Sequence, residues 1–171
     1  MLVGDVNRFA IEADPETVDG SWILGRFRFW IGGCAVGDWD DCAALQYCFD
    51  GLRAFSQSVL DRVEPIVAHS TPEEVFALIV APVLGTPGVA DPRRQPIPFS
   101  YERFHITQLG ASSFDNLVVV LVKDAVGAER CLWMNHDERE IRAFWLAAGE
   151  MERVAAMFCE LFETSFGPIP G

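Results

Sequence analysis

The sequence predicts an α+β fold: a mostly antiparallel sheet of five to seven strands, with two central helices and a C-terminal helix packed on one face. Three observations predict it. From Trp22 to Ile31 the set Ile23, Gly25, Phe27, Phe29 and Ile31 alternates with Trp22, Leu24, Arg26, Arg28 and Trp30, the period of two of a strand buried on one side. From Gly149 to Ser165 the residues Met151, Val154, Ala155, Phe158, Leu161, Phe162 and Ser165 form one stripe at helical spacing. The order strands, helices, strands, helix segregates helices to one face of an antiparallel sheet. Residues 1–166 are expected to form a single domain, with 167–171 as a frayed tail.

The first strand is expected near Val6 to Ala13, with turns at Asp14-Pro15 and Asp19-Gly20. The second, Trp22 to Ile31, ends at Gly32-Gly33, and a short strand follows near Ala35 to Val36. Asp40 or Asp41 caps a helix running to about Val63, whose apolar positions 45, 48, 49, 52, 55, 59 and 63 share one face. Thr71-Pro72-Glu73-Glu74 is a capping box with proline at the first helical position, and that helix must end near Ala81 because Pro82 clashes with its continuation. Residues 85–98 read as a long proline-rich loop. Four strands follow at Arg103 to Leu109, Asn116 to Asp124, Glu129 to Asn135 and Glu140 to Ala147. Short turn-rich links make the last three an antiparallel meander. The stripe Phe158, Leu161 and Phe162 of the final helix is expected to pack on the sheet face carrying Phe27 and Phe29.

A spaced motif runs through these elements: Gly4-Asp5, then Phe9-Ala10-Ile11, then Trp22, Gly25, Phe27, Trp30, Ile31 and Gly33, then Gly37-Asp38. Together with Leu132-Trp133, the strand Glu140 to Ala147 and Gly149 before a helix, it resembles the immunity protein 42 family of bacterial polymorphic toxin systems. The resemblance covers both ends of the chain and skips roughly 50–98. It implies a protein that binds and neutralises a cognate toxin domain encoded beside it. The motif is an aromatic and glycine scaffold, so it implies no residue-level interface.

Charge narrows the partner. The chain carries 25 Asp and Glu against 13 Lys and Arg, a net charge of −12, and Lys123 is its one lysine. Such a balance disfavours nucleic acid, whose phosphates require a cationic face, and anionic membrane surfaces. It favours encounter with a basic protein. The candidate toxin-binding residues are the acidic turn Asp38, Asp40 and Asp41 and the acidic hairpin ends Asp124, Asp137 and Glu138. The Met1-Leu2-Val3-Gly4-Asp5 start is no secretion signal, and no apolar run approaches the roughly 20 residues that span a bilayer, so a cytoplasmic protein is expected. Cys34, Cys42, Cys48, Cys131 and Cys159 lack CxxC spacing and read as buried free thiols.

The chemistry-bearing residues do not assemble into a catalytic pattern. His69, His105 and His136 have no metal-ligand spacing, and no P-loop, GxGxxG or GxSxG occurs. Asp38-Trp39-Asp40 offers a pair of carboxylates for a divalent cation, but its place before a helix favours capping. Arg26 and Arg28, between Trp22 and Trp30, offer either a cation–π ladder or salt bridges on an exposed sheet face. No catalytic residue, cofactor or metal is expected, and oligomeric state is not legible. The alternatives are a structural or oligomer-forming module without a toxin, and a small enzyme using a cysteine or the Asp38/Asp40 pair.

Overall fold

The alternation from Trp22 to Ile31 becomes the central strand of a five-stranded antiparallel sheet in the computed structural model, which describes residues 1–19, 22–57, 62–81, 101–107 and 109–167. Its strands are β1 (Leu2–Gly4), β2 (Phe9–Asp19), β3 (Trp22–Ile31), β4 (Cys34–Val36) and β5 (Ala43–Ala44). β2 pairs along one edge of β3, while β4 and β5 share the other, at Phe29–Ile31 and at Leu24–Gly25. The odd-numbered residues of β3 are buried, and all the even ones retain some exposure.

Two expectations in this half are corrected. Asp14-Pro15 is not a turn: β2 continues to Asp19 and absorbs the proline with a register shift between Pro15 and Thr17. A proline has no N–H for the ladder, and an irregularity is where a strand tolerates one. Nor does a helix start at Asp40 or Asp41. Ala43 and Ala44 are taken by Leu24 and Gly25 as β5, so α1 spans Leu45–Gln57. Leu45, Cys48, Phe49 and Leu52 are buried as the spacing requires. The helix does not reach Val63, which forms a parallel bridge to Lys123 and is exposed; position 59 lies outside the described residues.

A short α2 (Pro65–Ala68), unanticipated by periodicity, precedes α3 (Pro72–Ile79). The capping box at α3 is present: Glu74 N donates to Thr71 Oγ1 at 3.2 Å and Thr71 N donates to Glu74 Oε2 at 3.0 Å. The proline-rich stretch 85–98 lies outside the described residues. The strand expected at Arg103 to Leu109 is instead a 3-10 turn, Tyr101–Arg103, followed by one bridge from His105 to Val120. Leu121 N donates to Phe104 O, and Ile106 N to Val119 O, so pairing extends to the residues flanking the bridge.

The meander is as expected: β6 (Leu117–Lys123), β7 (Glu129–Asn135) and β8 (Ile141–Leu146) form a second, three-stranded sheet. β6 does not alternate, because both of its faces are buried. Val119 and Leu121 join the main core, whereas Val118, Val120 and Val122 join a second core with α2 and α3. Phe144 of β8 packs on Gly32, where a Cβ would fall 2.4 Å from the ring; Gly32 also has φ +57.

α4 (Glu150–Phe166) lies along α1, β1 and β2. Phe158 meets Phe27 edge-on at 5.9 Å, and Phe162 stacks on Phe49 and Phe158, so the expected helix-to-sheet contact forms. Leu161 does not share it: it faces solvent, and Cys159 takes the buried place beside the stripe. The tail beyond Gly167 lies outside the described residues.

Candidate functional site

Residues 37–42 link β4 to β5 and therefore run beside Arg26 to Arg28 of β3. Gly37 adopts φ +123 and passes so near Arg28 that a Cβ would sit 3.1 Å from that of Arg28. Asp38 N donates to Ser113 O, and Asp38 Oδ1 accepts from Asp40 N at 2.9 Å, closing an Asx turn. Trp39 lies over the guanidinium of Arg28, 4.2 Å from its ring centre, and Trp30 lies against the same group at 4.6 Å. Glu12 Oε2 accepts from Arg28 Nε at 2.7 Å and from Trp30 Nε1 at 2.8 Å. Burial pushes the Glu12 carboxyl up, but these two hydrogen bonds outweigh it and hold Glu12 below the ordinary carboxylate value. The ion-pairing reading holds for both arginines, Arg26 being bound to Glu16 at 2.7 Å, whereas the stacking is seen at Arg28, and Trp22 packs instead on Tyr47.

The β7–β8 hairpin brings a second set of acids to the same place. Asn135 Oδ1 accepts from Asp137 N at 2.8 Å, and Arg139 closes the turn at φ 57 with its N–H on Asn135 O. Between hairpin and acidic turn runs a groove of about 420 Å³, lined by Asp38, Asp41, Asp137, Glu138, Glu140 and Arg142 with Trp133 and Leu117. Five carboxylates face one guanidinium there, and Arg142 is already paired with Glu140 at 2.7 Å. Four acids singled out from the sequence thus converge across two sheets: Asp38, Asp41, Asp137 and Glu138. Asp40 is exposed in the same turn but does not line the groove.

Asp124 is placed elsewhere. It follows the far end of β6, about 20 Å along the strand from Leu117 at a rise near 3.3 Å per residue. Its Oδ1 accepts from Val126 N and Ala128 N at 2.9 and 2.8 Å, folding the β6–β7 turn. Sequence reasoning missed Glu140 and Arg142, whose signal was only their closeness to Asp137-Glu138. It also missed Trp39, which any reading of the acids as helix caps passes over.

A second group of carboxylates is buried. Glu129, fully enclosed, accepts from Gly149 N at 2.9 Å and Met151 N at 3.0 Å, filling the N-terminus of α4. Lys123 Nζ lies 3.1 Å from Glu129 and also bonds Glu152. Burial, then the hydrogen bond and charge of Glu152, push the Glu129 carboxyl up to about 7, while Glu152 stays below its ordinary value. Arg62, also buried, supplies a further positive charge to both acids.

Four further reactive groups, Cys48, Cys131, Cys159 and His105, are muted by burial. Burial pushes the Cys48 thiol up to about 12 and Cys159 up to about 11, and raises Cys131 as well. Cys42 departs from the buried-thiol expectation, being exposed in the acidic turn, and Cys34 is half-buried. Burial lowers His105 to about 4, so its ring is neutral near pH 7. His136 is exposed, and His69 packs against Trp145. Among the described residues no cluster of three His, Cys, Asp or Glu has the geometry to hold a metal, and no helix is long and apolar enough to cross a membrane.

Comparison with known proteins agrees with this architecture. The chain belongs to the immunity protein 42 family, whose sequence model matches residues 1–160. The fold is similar to that in the crystal structure of CdiI from Burkholderia dolosa AUO158, with a TM-score of 0.68 at 16% identity. That match covers 94% of this chain and 99% of the other. No curated protein matches the sequence.

Proposed function

We propose that this immunity protein neutralises its cognate toxin domain by stoichiometric binding and occlusion, and that the groove between the β4–β5 turn and the β7–β8 hairpin is the docking face for a basic toxin surface. The observation that carries the reading is the convergence of Asp38, Asp41, Asp137, Glu138 and Glu140 on one groove whose one cation among the described residues, Arg142, is already paired with Glu140. An excess of solvent-facing carboxylates projects a field that steers an oppositely charged partner and raises its association rate. An interface of standard size, about 1,200–2,000 Å² in total, centred there would reach both sheets and cover a toxin's cleft.

Occlusion without turnover is supported by the state of three of the five thiols and of one histidine. The thiols of Cys48, Cys131 and Cys159 are held protonated by burial, and His105 is a poor base at its lowered value. Titrating a fixed amount of the cognate toxin domain should reach full inhibition at a fixed ratio near one equivalent. Inhibition by a small fraction of an equivalent would make the protein an enzyme. Asp38→Asn with Asp41→Asn should slow association and flatten its salt dependence; unchanged kinetics would move the docking face elsewhere.

A further inference from the structure

The turn that carries Asp38 and Asp41 is held against the sheet by a stacked cation. We infer that Arg28 is a positioning residue for the docking face: pressed between Trp30 and Trp39, it fixes the Asp38–Asp41 turn in the shape that meets the toxin. This rests on the docking reading above and deepens it.

The geometry separates the role of Arg28 from that of the acids. Its guanidinium lies 4.6 Å from the Trp30 ring centre and 4.2 Å from that of Trp39, while its Nε donates to Glu12 at 2.7 Å. A planar guanidinium can stack between two indoles and still donate in its own plane; a lysine ammonium, a strongly hydrated point charge, cannot. Glu12 neutralises the cation locally, so Arg28 anchors an acidic turn without cancelling the field of Asp38 and Asp41. Glu12 is in turn fixed by Trp30 Nε1 at 2.8 Å, and Gly37 gives the turn room to pass over Arg28. The stack thus adds a side-chain clamp on Trp39 to a link otherwise held through Asp38 N on Ser113 O, its own Asx turn and the strand pairing at its two ends. Pre-ordering a binding loop removes the entropic loss of ordering it from association and lengthens the life of the complex.

The test uses the full chain and its inactivated cognate toxin domain, with association and dissociation rates measured at two salt concentrations. Arg28→Lys keeps the charge and should melt within about 4 °C of the parent. It should dissociate about tenfold faster, with association rate and salt slope near the parent's. Trp39→Leu removes the other half of the stack without touching β3 and should give the same kinetics. The double variant should be no worse than the weaker single, because both changes break one contact. Trp39→Leu also carries the test where Arg28→Lys melts early. Parent-like dissociation of Trp39→Leu, or independent effects that add in the double variant, overturns the inference. It does so while leaving the docking reading intact, provided Asp38→Asn with Asp41→Asn still slows association. If those acidic substitutions change nothing, the docking reading itself fails and the positioning role falls with it.

Discussion

The molecule holds two clusters of carboxylates with opposite fates. Around the groove, Asp38, Asp41, Asp137, Glu138 and Glu140 sit on turns and a hairpin, with a single arginine among them. Beneath the start of α4, Glu129 is enclosed and accepts from the N–H groups of Gly149 and Met151, beside the half-buried Glu152 and the cations Lys123 and Arg62. The buried cluster already holds its own counter-charges, Lys123 and Arg62; its work is to tie β6, β7 and α4 together. The exposed cluster contributes little to folding and leaves its charge available to solvent. Charge count alone therefore says nothing about function; what matters is whether the fold has already supplied the counter-charge.

Removing a counter-charge gives the largest separation between the two. Lys123→Met leaves the enclosed Glu129, beside Glu152, with Arg62 as the remaining cation among the described residues and should cost about 3 kcal/mol. That is the low end of the range for breaking a buried pair, since Lys123 keeps some exposure. Toxin affinity of the folded fraction should stay at the parent value. Chemical denaturation with a parallel binding titration checks both; loss of affinity without loss of stability would reverse the assignment of the clusters.

The mirror experiment strips charge from the groove. Asp38→Asn, Asp41→Asn and Glu138→Gln together should leave stability within about 0.5 kcal/mol. Association at low salt should fall by about tenfold or more, and the difference should shrink as salt screens exposed charges beyond about 8–10 Å. Stopped-flow association across a salt series reads this directly. A variant as fast as the parent would show that the groove does no steering.

How far could this contrast be read from the sequence? The scaffold was largely legible, because its signals are local: the alternation of β3, the stripe of α4 and the Thr71 capping box each sit in one short window. Where a distant strand took over, local signals failed. Asp40 and Asp41 look like helix caps, but Leu24 and Gly25 claim Ala43 and Ala44 first and push the helix start to Leu45. The site was half legible. Acidic turns are visible in sequence, yet nothing there says that Asp41 and Asp137 meet across two sheets while Asp124 stands apart. Glu129 and Glu138 are the same residue type nine positions apart in the same hairpin unit, and only tertiary packing makes one an internal brace and the other a surface charge.

A pH series sharpens the comparison further. Glu129 is held above its ordinary value of 4.5, at about 7, chiefly by burial and then by Glu152. A raised carboxylate contributes its stability fully below about 4.5 and loses it as pH rises through about 7. Glu152 is shifted the other way, so its contribution is lost only as pH falls below 4.5. Stability should therefore decline between about pH 5 and 7.5, by on the order of 1–2 kcal/mol. In Glu129→Gln, whose amide mimics the protonated acid, that decline should flatten. Equal slopes for parent and variant over this window would show that Glu129 does not take up the proton.

The smallest effect tests the boundary of the groove at Asp124, an acid of the same apparent kind placed at the opposite end of β6. Its carboxylate is spent on its own turn, accepting from Val126 N and Ala128 N, and its other oxygen lies 3.8 Å from His69. A carboxylate committed to backbone donors behaves as a local structural brace, and one about 20 Å along the strand from the groove lies well beyond the screening length at physiological salt. Asp124→Ala should thus lower stability by about 1 kcal/mol, the ordinary net worth of a turn hydrogen bond. Toxin association should change by less than about twofold, against the much larger change expected at Asp38 and Asp41. The pair of measurements is decisive because both substitutions remove one negative charge from a chain of net charge −12. If Asp124→Ala slows association as much as Asp38→Asn does, the toxin responds to overall charge and not to the groove, and the two carboxylate clusters differ in burial alone.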